Sequence, residues 1–75
     1  MWIVKSELGK IMGAFDSYYV ASASIRFSYH QRKDLKFLTE EHNRDFIIKI
    51  RDAEDDLVAA YWVEYHEIQT EVTHL

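Results

Sequence analysis

The sequence contains no cysteine and no proline, and its two glycines, Gly9 and Gly13, both lie in the first fifth of the chain. Without cysteine there is no disulfide framework and no thiol-based metal or redox chemistry. Walker-type and dinucleotide-type phosphate loops need glycines at fixed offsets, and the chain lacks that spacing. Long apolar runs are also missing, because the longest, such as 57–63, fall far below the roughly 18 residues that span a bilayer. We therefore expect neither a nucleotide-binding loop, a thiol enzyme nor a membrane-spanning helix.

The proportions of hydrophobic and charged residues are those of an ordinary globular protein. Its 75 residues are 48% hydrophobic and 29% charged, which fits one folded domain over residues 1–75. The first residues are too few and too poor in basic side chains to form a secretory leader. These features together predict a soluble, cytoplasmic protein.

Charge is divided unevenly along the chain. Residues 1–51 carry all nine lysines and arginines and six acids, whereas residues 52–75 carry seven acids and neither lysine nor arginine. The first segment therefore has a net charge of +3 and the second of −7, which together make the −4 of the whole chain. Such a division predicts either that the two segments attract each other or that the acidic segment meets a basic partner.

Apolar residues recur three and four positions apart, which is the spacing of an amphipathic helix. The first such series has one polar member, a serine. It consists of Met1, Val4, Leu8, Ile11, Phe15, Tyr18, Ser22, Ile25 and Tyr29. A second series runs from Ile47 to the end of the chain, and Thr39 followed by two glutamates is a plausible helix start. The spacing therefore predicts an all-α fold, a hairpin of two long amphipathic helices over about 3–31 and 39–74.

A helical hairpin cannot bury all the apolar side chains of this sequence. Aromatic residues make up 15% of the chain, and several of them, including Tyr19, Phe27 and Trp62, fall outside the two series. Small chains with surplus apolar surface commonly complete their core by self-association. We therefore expect a homo-oligomer, with Tyr18, Ile25, Tyr61 and Tyr65 nearest the core.

A competing pattern favours an α+β fold with the element order α-β-β-β-α. From Tyr19 to His30 apolar and aromatic side chains alternate with mostly polar ones, and a period of two is typical of a strand. Further strands would follow at 35–40 and 46–51, joined by a polar turn at 42–45, and a helix would start at Asp52. Tight hairpins favour glycine, however, and none occurs after position 13. Both alternatives share a C-terminal amphipathic helix.

No residue pattern points to catalysis or to a bound cofactor. No glycine-bounded elbow presents a serine, and the paired carboxylates form surface runs rather than flanking a cleft. Glu71 and His74 have the spacing that places a carboxylate and an imidazole on one helical face, as in di-iron bundles. Because the other ligands of such a site are missing, we interpret this pair as a solvated terminal turn. The sequence predicts no enzyme, no cofactor and no metal.

An acidic row beside aromatic anchors is the main functional feature of the predicted C-terminal helix. A helix that combines carboxylates with apolar anchors suits a groove with a basic rim. The expected partner-binding residues are Asp56, Trp62, Glu64, Tyr65, Glu67 and Glu71. The main prediction is a small acidic, non-enzymatic protein-binding module, an inhibitor or accessory factor that acts by occupying a partner protein.

Two alternatives involve nucleic acids. A row of carboxylates can imitate a phosphate backbone, which would make the chain a nucleic-acid-mimicking inhibitor. In the other alternative, a basic patch at 26–36 would bind phosphates, through Arg26, Arg32, Lys33 and Lys36. Phosphate neutralisation dominates nucleic-acid affinity, so a sequence pI near 5.4 weighs against this second alternative.

Overall fold

Five strands and one helix make up residues 1–67, the part of the chain that the computed structural model describes. In chain order they are β1 (Trp2–Ser6), β2 (Ile11–Phe15), α1 (Tyr18–Ser28), β3 (Lys36–His42), β4 (Asp45–Arg51) and β5 (Leu57–Tyr65). The strands form one antiparallel sheet in the order β2-β1-β5-β4-β3. The last strand in sequence therefore lies at the centre of the sheet, and β2 and β3 are its two edges.

The predicted all-α fold is wrong, and the α+β alternative is closer. The first predicted helix, at about 3–31, is instead the β1–β2 hairpin followed by α1. Within the second, at 39–74, the described residues form β3, β4 and β5. The strands expected at 35–40 and 46–51 correspond to β3 and β4. The C-terminal helix that both alternatives shared is replaced by β5 from Leu57 to Tyr65.

The alternating segment after Tyr18 is a helix rather than a strand because its local chemistry favours helix. Ser17 caps the first turn, since its Oγ accepts a hydrogen bond from the backbone N–H of Val20 at 3.1 Å. The small side chains of the alternation are alanines and serines, and helices accept these readily when the serine hydroxyl finds a backbone carbonyl. Ser24 Oγ donates to the carbonyl of Ala21 at 2.9 Å.

Polar residues make the β3–β4 and β4–β5 turns, which contain no glycine. Asn43 has φ 57° between β3 and β4, and Asp55 has φ 68° between β4 and β5. Asparagine and aspartate tolerate this left-handed conformation better than other non-glycine residues. In the second turn the Asp52 carboxylate also accepts the backbone N–H groups of Glu54 and Asp56 at 3.0 and 2.9 Å.

The core lies between α1 and one face of the sheet. Six buried residues from β1, α1, β4 and β5 form it. They are Val4, Ala21, Ile25, Ile48, Ile50 and Val63. Of the residues expected nearest the core, Ile25 is buried and Tyr18 and Tyr61 pack against the cluster. Tyr65 is 42% exposed at the end of β5, so it is not part of the core within the single chain. The helix covers one face of the sheet and leaves the other uncovered among residues 1–67.

Candidate functional site

The structure does not assemble the predicted acidic partner-binding surface. Asp56 lies in the β4–β5 turn, and Trp62 and Glu64 lie in β5 on the sheet face opposite α1. Tyr65 belongs to the helix-covered face, where its ring lies 5.1 Å from that of Trp2. Glu67 follows β5, and Glu71 and the Glu71–His74 pair lie outside the described residues. A carboxylate row needs one helical face, and a strand instead sends alternate side chains to opposite faces.

Glu64 is held by a lysine and a histidine of its own chain. Its Oε1 lies 3.0 Å from Lys5 Nζ and 3.1 Å from His66 Nε2. The hydrogen bonds from His66 and from Lys5 hold the pKa of this carboxyl below its ordinary value. Because β1 and β5 are neighbours, the acidic segment and the basic segment of the chain meet inside the sheet at this pair.

The basic patch, by contrast, forms a continuous stretch at the end of α1 and the start of β3. Arg26 places its guanidinium 4.9 Å from the centre of the Phe37 ring. Arg32 binds Asp34 through two hydrogen bonds of 3.3 and 2.9 Å, which raises the pKa of the arginine and lowers that of the aspartate. Lys33 and Lys36 are exposed.

An exposed pair of stacked rings lies within this basic patch. The rings of Phe27 and His30 are 4.7 Å apart and 15° from parallel, and Phe27 is 69% exposed. His30 Nδ1 lies 2.7 Å from the Phe27 carbonyl oxygen, so the orientation of its ring is fixed by the helix end. The pair offers a flat aromatic surface in the same stretch of sequence as the four basic residues of the patch.

The outer face of α1 is apolar where a soluble helix normally carries polar groups. Tyr19, Val20 and Phe27 are 82%, 53% and 69% exposed. At 3.6 residues per turn, these three and Ala23 fall within an arc of about 100°. We call these four residues the α1 stripe. Ser24 and Ser28 lie next to it on the helix surface and separate it from the buried side.

The edge strand β2 has few of the features that normally protect a sheet edge. Within residues 1–67 it pairs with β1 alone, and its five residues carry no charge. The opposite edge, β3, carries a lysine, two glutamates and a histidine, which discourage pairing with another chain. Ile11 and Met12 are 62% and 53% exposed. An uncharged strand with unpaired backbone groups is a template for a further strand.

A β-bulge near the start of β2 redirects one side chain. Val4 pairs with Gly13 and the next residue, Lys5, pairs with Ile11, which leaves Met12 as an extra residue. Bulges commonly re-aim a side chain beside functional sites. Here Met12 turns toward α1 and lines a cavity. The regular part of the edge is therefore 13–15.

The cavity lies between α1, β2 and the sheet and has a volume of about 210 Å³. It is lined by Val4, Met12, Phe15, Ser24, Ile25, Ser28 and Tyr61. Val4 and Ile25 are buried and form its floor, whereas Met12 and Ser28 are exposed and mark its mouth. No charged side chain lines it. The mouth thus opens between the β2 edge and the second half of α1, next to the α1 stripe.

Two tyrosines close the far side of this region. The hydroxyl oxygens of Tyr29 and Tyr61 are 2.7 Å apart. Burial, and then the hydrogen bond with Tyr29, raises the pKa of Tyr61 to about 12. A hydroxyl that stays protonated at neutral pH serves as a hydrogen-bond donor or acceptor and not as a base.

Comparisons with known proteins found no match, so the surface is interpreted from its geometry. No protein family, curated protein or solved structure matches this chain. In the part of the chain that the structure describes, histidine, aspartate and glutamate side chains form no group of three suited to a metal ion. Within that same part, α1 is too short to cross a membrane.

The α1 stripe and the β2 edge are not among the site residues predicted from the sequence. The usable signal is the surplus of apolar residues outside the predicted helical series, which includes Met12, Tyr19, Val20 and Phe27. That surplus predicts an interface somewhere on the molecule. The location of this interface depends on which segments are strands. The interpretation of 1–16 as a helix therefore predicts the wrong location.

Proposed function

We propose that this chain is a non-enzymatic protein-binding module whose docking surface consists of the α1 stripe and the adjoining β2 edge. One observation carries the proposal, namely the exposure of Tyr19, Val20 and Phe27 on one helical face. Large exposed apolar patches on small soluble proteins mark interaction sites. Aromatic side chains are also enriched among the residues that contribute most to binding energy at interfaces.

The β2 edge supports the same surface because it lies on the same side of the molecule. α1 packs against β1, β2 and β5, and the serines next to the α1 stripe line the cavity together with residues of β2. The stripe, the cavity mouth and the exposed Met12 therefore follow one another across the surface. A partner that covers the stripe also reaches the edge strand.

The predicted partner with a basic rim was inferred from a row of carboxylates on one helical face. The described acidic residues do not form such a row. Glu64 is engaged by Lys5, and the acids at 52–56 sit in a turn at one end of the sheet. We therefore propose apolar contact, rather than charge, as the main source of affinity for a protein partner. A second copy of the chain is one such partner, as the surplus of apolar side chains already indicated.

Affinity capture with serine variants tests this proposal. The immobilised protein is compared with Tyr19→Ser and Phe27→Ser, and with Leu38→Ser as a matched control. Leu38 is 48% exposed on β3, on the sheet face away from α1. We expect Tyr19→Ser and Phe27→Ser to lose the captured protein, or the self-association, that Leu38→Ser retains. Equal capture by all three, with unchanged unfolding curves, would refute the proposal.

A second candidate function, binding of single-stranded nucleic acid, is favoured by the Phe27–His30 ring pair in the basic patch. Bases stack on exposed aromatic rings, and cations nearby neutralise their phosphates. Fluorescence anisotropy with labelled single-stranded DNA and RNA at physiological salt tests it. Lys33→Glu and Lys36→Glu should weaken binding, whereas Lys10→Glu, in the β1–β2 turn, should not. Absence of binding at physiological salt excludes this candidate.

A further inference from the structure

We propose that the β2 edge binds an extended, uncharged peptide segment of a partner protein as a sixth strand. One apolar side chain of that segment fills the cavity between β2 and α1. The inference rests on the proposed protein-binding function and gives the partner's chemistry. Addition of a strand to a sheet edge is a recurring mode of peptide recognition, in which main-chain hydrogen bonds provide affinity and side-chain pockets provide specificity.

The backbone of β2 sets the conformation of the ligand. Residues 13–15 continue regularly beyond the bulge and pair with β1 on one side. Among residues 1–67 no strand pairs with their other side, so their outward backbone groups can bond to an added strand. On the cavity side Gly13 has no side chain, and the ring of Phe15 fills the space over it, 3.0 Å from the position that a Cβ would occupy.

The cavity sets the size and polarity of one ligand side chain. Apolar cavities of about 150 Å³ hold a benzene-sized group, so a volume of about 210 Å³ accommodates a leucine or phenylalanine side chain. Its polar atoms are the hydroxyls of two serines and a tyrosine. The serine hydroxyls already donate to helix carbonyls, and the Tyr61 hydroxyl is bonded to Tyr29. An apolar side chain therefore enters without leaving a strong hydrogen-bonding group unpaired.

A second copy of this chain is the poorer occupant of the cavity. An added β2 strand would have to offer a side chain toward the helix side of the sheet. On that side its residues are Gly13, which has no side chain, and Met12 and Phe15, which line the cavity of their own molecule. A strand from another protein, with a side chain not already engaged, fits the site better.

The test uses the whole chain and two blocked synthetic peptides. One alternates valine and threonine with a leucine at its centre, and the other has aspartate in place of that leucine. Binding is followed by nitrogen–proton correlation NMR spectra during titration. We expect the leucine peptide to shift the amide signals of β2 and of the second half of α1. The aspartate peptide should bind at least about tenfold more weakly, because a carboxylate cannot enter an apolar cavity without losing hydration.

Two serine variants separate cavity binding from general effects on the helix. Ser24→Leu fills the cavity and removes a hydrogen bond to the carbonyl three residues earlier. Ser22→Leu removes the equivalent bond to Tyr19 at a position that does not line the cavity. We expect Ser24→Leu to weaken binding of the leucine peptide about tenfold. Ser22→Leu should bind it with an affinity within about twofold of that of the parent chain.

The outcomes distinguish this inference from the proposed function. If the leucine peptide leaves the β2 signals unmoved, or if Ser24→Leu has no effect on its affinity, the inference is wrong. Concentration-dependent shifts of β2 without peptide, with no further change when peptide is added, identify a second copy as the occupant and also overturn it. In either case the proposed function stands as long as Phe27→Ser still abolishes capture of the partner.

Discussion

The hydroxyl groups of Tyr29 and Tyr61 lie 2.7 Å apart and join the end of α1 to the central strand of the sheet. One tyrosine follows the last helical residue and the other lies in the middle of β5. The contact fixes where the helix ends over the sheet. It also closes one side of the cavity at the β2 edge, so the position of the proposed binding site depends on it.

Stability at alkaline pH should report on Tyr61. Its pKa is raised from 10.0 to about 12 in the folded chain, so the folded state favours the protonated hydroxyl. Below pH 10 this preference is fully present, and stability should fall as pH rises from about 10 to 12, because the unfolded chain releases the proton first. Urea midpoints measured across this range should fall less steeply for Tyr61→Phe. Equal slopes for the two proteins would contradict the assignment.

The same substitution should reduce stability at neutral pH by about 0.5–1.5 kcal/mol, the usual net contribution of one hydrogen bond. Tyr29→Phe removes the same bond from the other side and should cost a similar amount. The double variant should cost less than the sum of the two, because both remove one interaction. Additive losses in chemical denaturation would show that the two hydroxyls do not interact.

Acid should weaken the link between β1 and β5. Hydrogen bonds from His66 and Lys5 lower the pKa of Glu64, so this carboxylate contributes stability above its ordinary pKa and loses it as pH falls through the folded value. Glu64→Gln should therefore flatten the acid limb of the stability curve, with a loss below about 1 kcal/mol at neutral pH. Glu54→Gln, on an exposed turn, is the control and should leave the curve unchanged.

Ile50 should be among the most sensitive positions in the core. It is completely buried on β4, and truncation of a buried isoleucine to alanine typically costs about 2–5 kcal/mol. A chain of this size has only about 4–11 kcal/mol of stability in total. Ile50→Ala should therefore show a large unfolded fraction by circular dichroism. Leu57→Ala, at a position 47% exposed, should unfold like the parent chain.

The turn at Asn43 should accept glycine but not a β-branched residue. Its φ of 57° is left-handed, which costs a residue with an ordinary Cβ about 1–2 kcal/mol. Asn43→Gly should leave the thermal midpoint close to that of the parent, whereas Asn43→Val should lower it clearly. A valine variant as stable as the glycine variant would mean that the turn adopts another conformation in solution.

This turn also explains why the hairpins are hard to predict from the sequence. The absence of glycine after position 13 favours helices, yet Asn43 and Asp55 take the left-handed conformation that glycine usually provides. Strands β3 and β4 are still predictable, because their β-branched and aromatic residues flank a polar turn. Their place in the sheet is not, because pairing with β5 depends on contacts distant in sequence.

The sequence patterns of the helix and of the central strand each fit more than one type of secondary structure. The segment from Tyr18 to Ser28 fits both a period of two and the helical spacing of Tyr18, Ala21 and Ile25, and the serine cap at 17 decides between them only if it is recognised. The nine residues of β5 form a short apolar run that periodicity alone cannot assign. Since the predicted acidic surface depends on a helix at that position, an incorrect element type displaces the whole candidate site.

The place of β5 at the centre of the sheet has a consequence for synthesis in the cell. The β1–β2 and β3–β4 hairpins can each close locally, but in the sheet they are joined only through β5. While a ribosome is still adding residues 57–65, the emerging chain consists of two separate hairpins and a helix without a completed surface to cover. The native sheet can therefore form only after translation has passed Tyr65, and until then the apolar faces of both hairpins are exposed to chaperones.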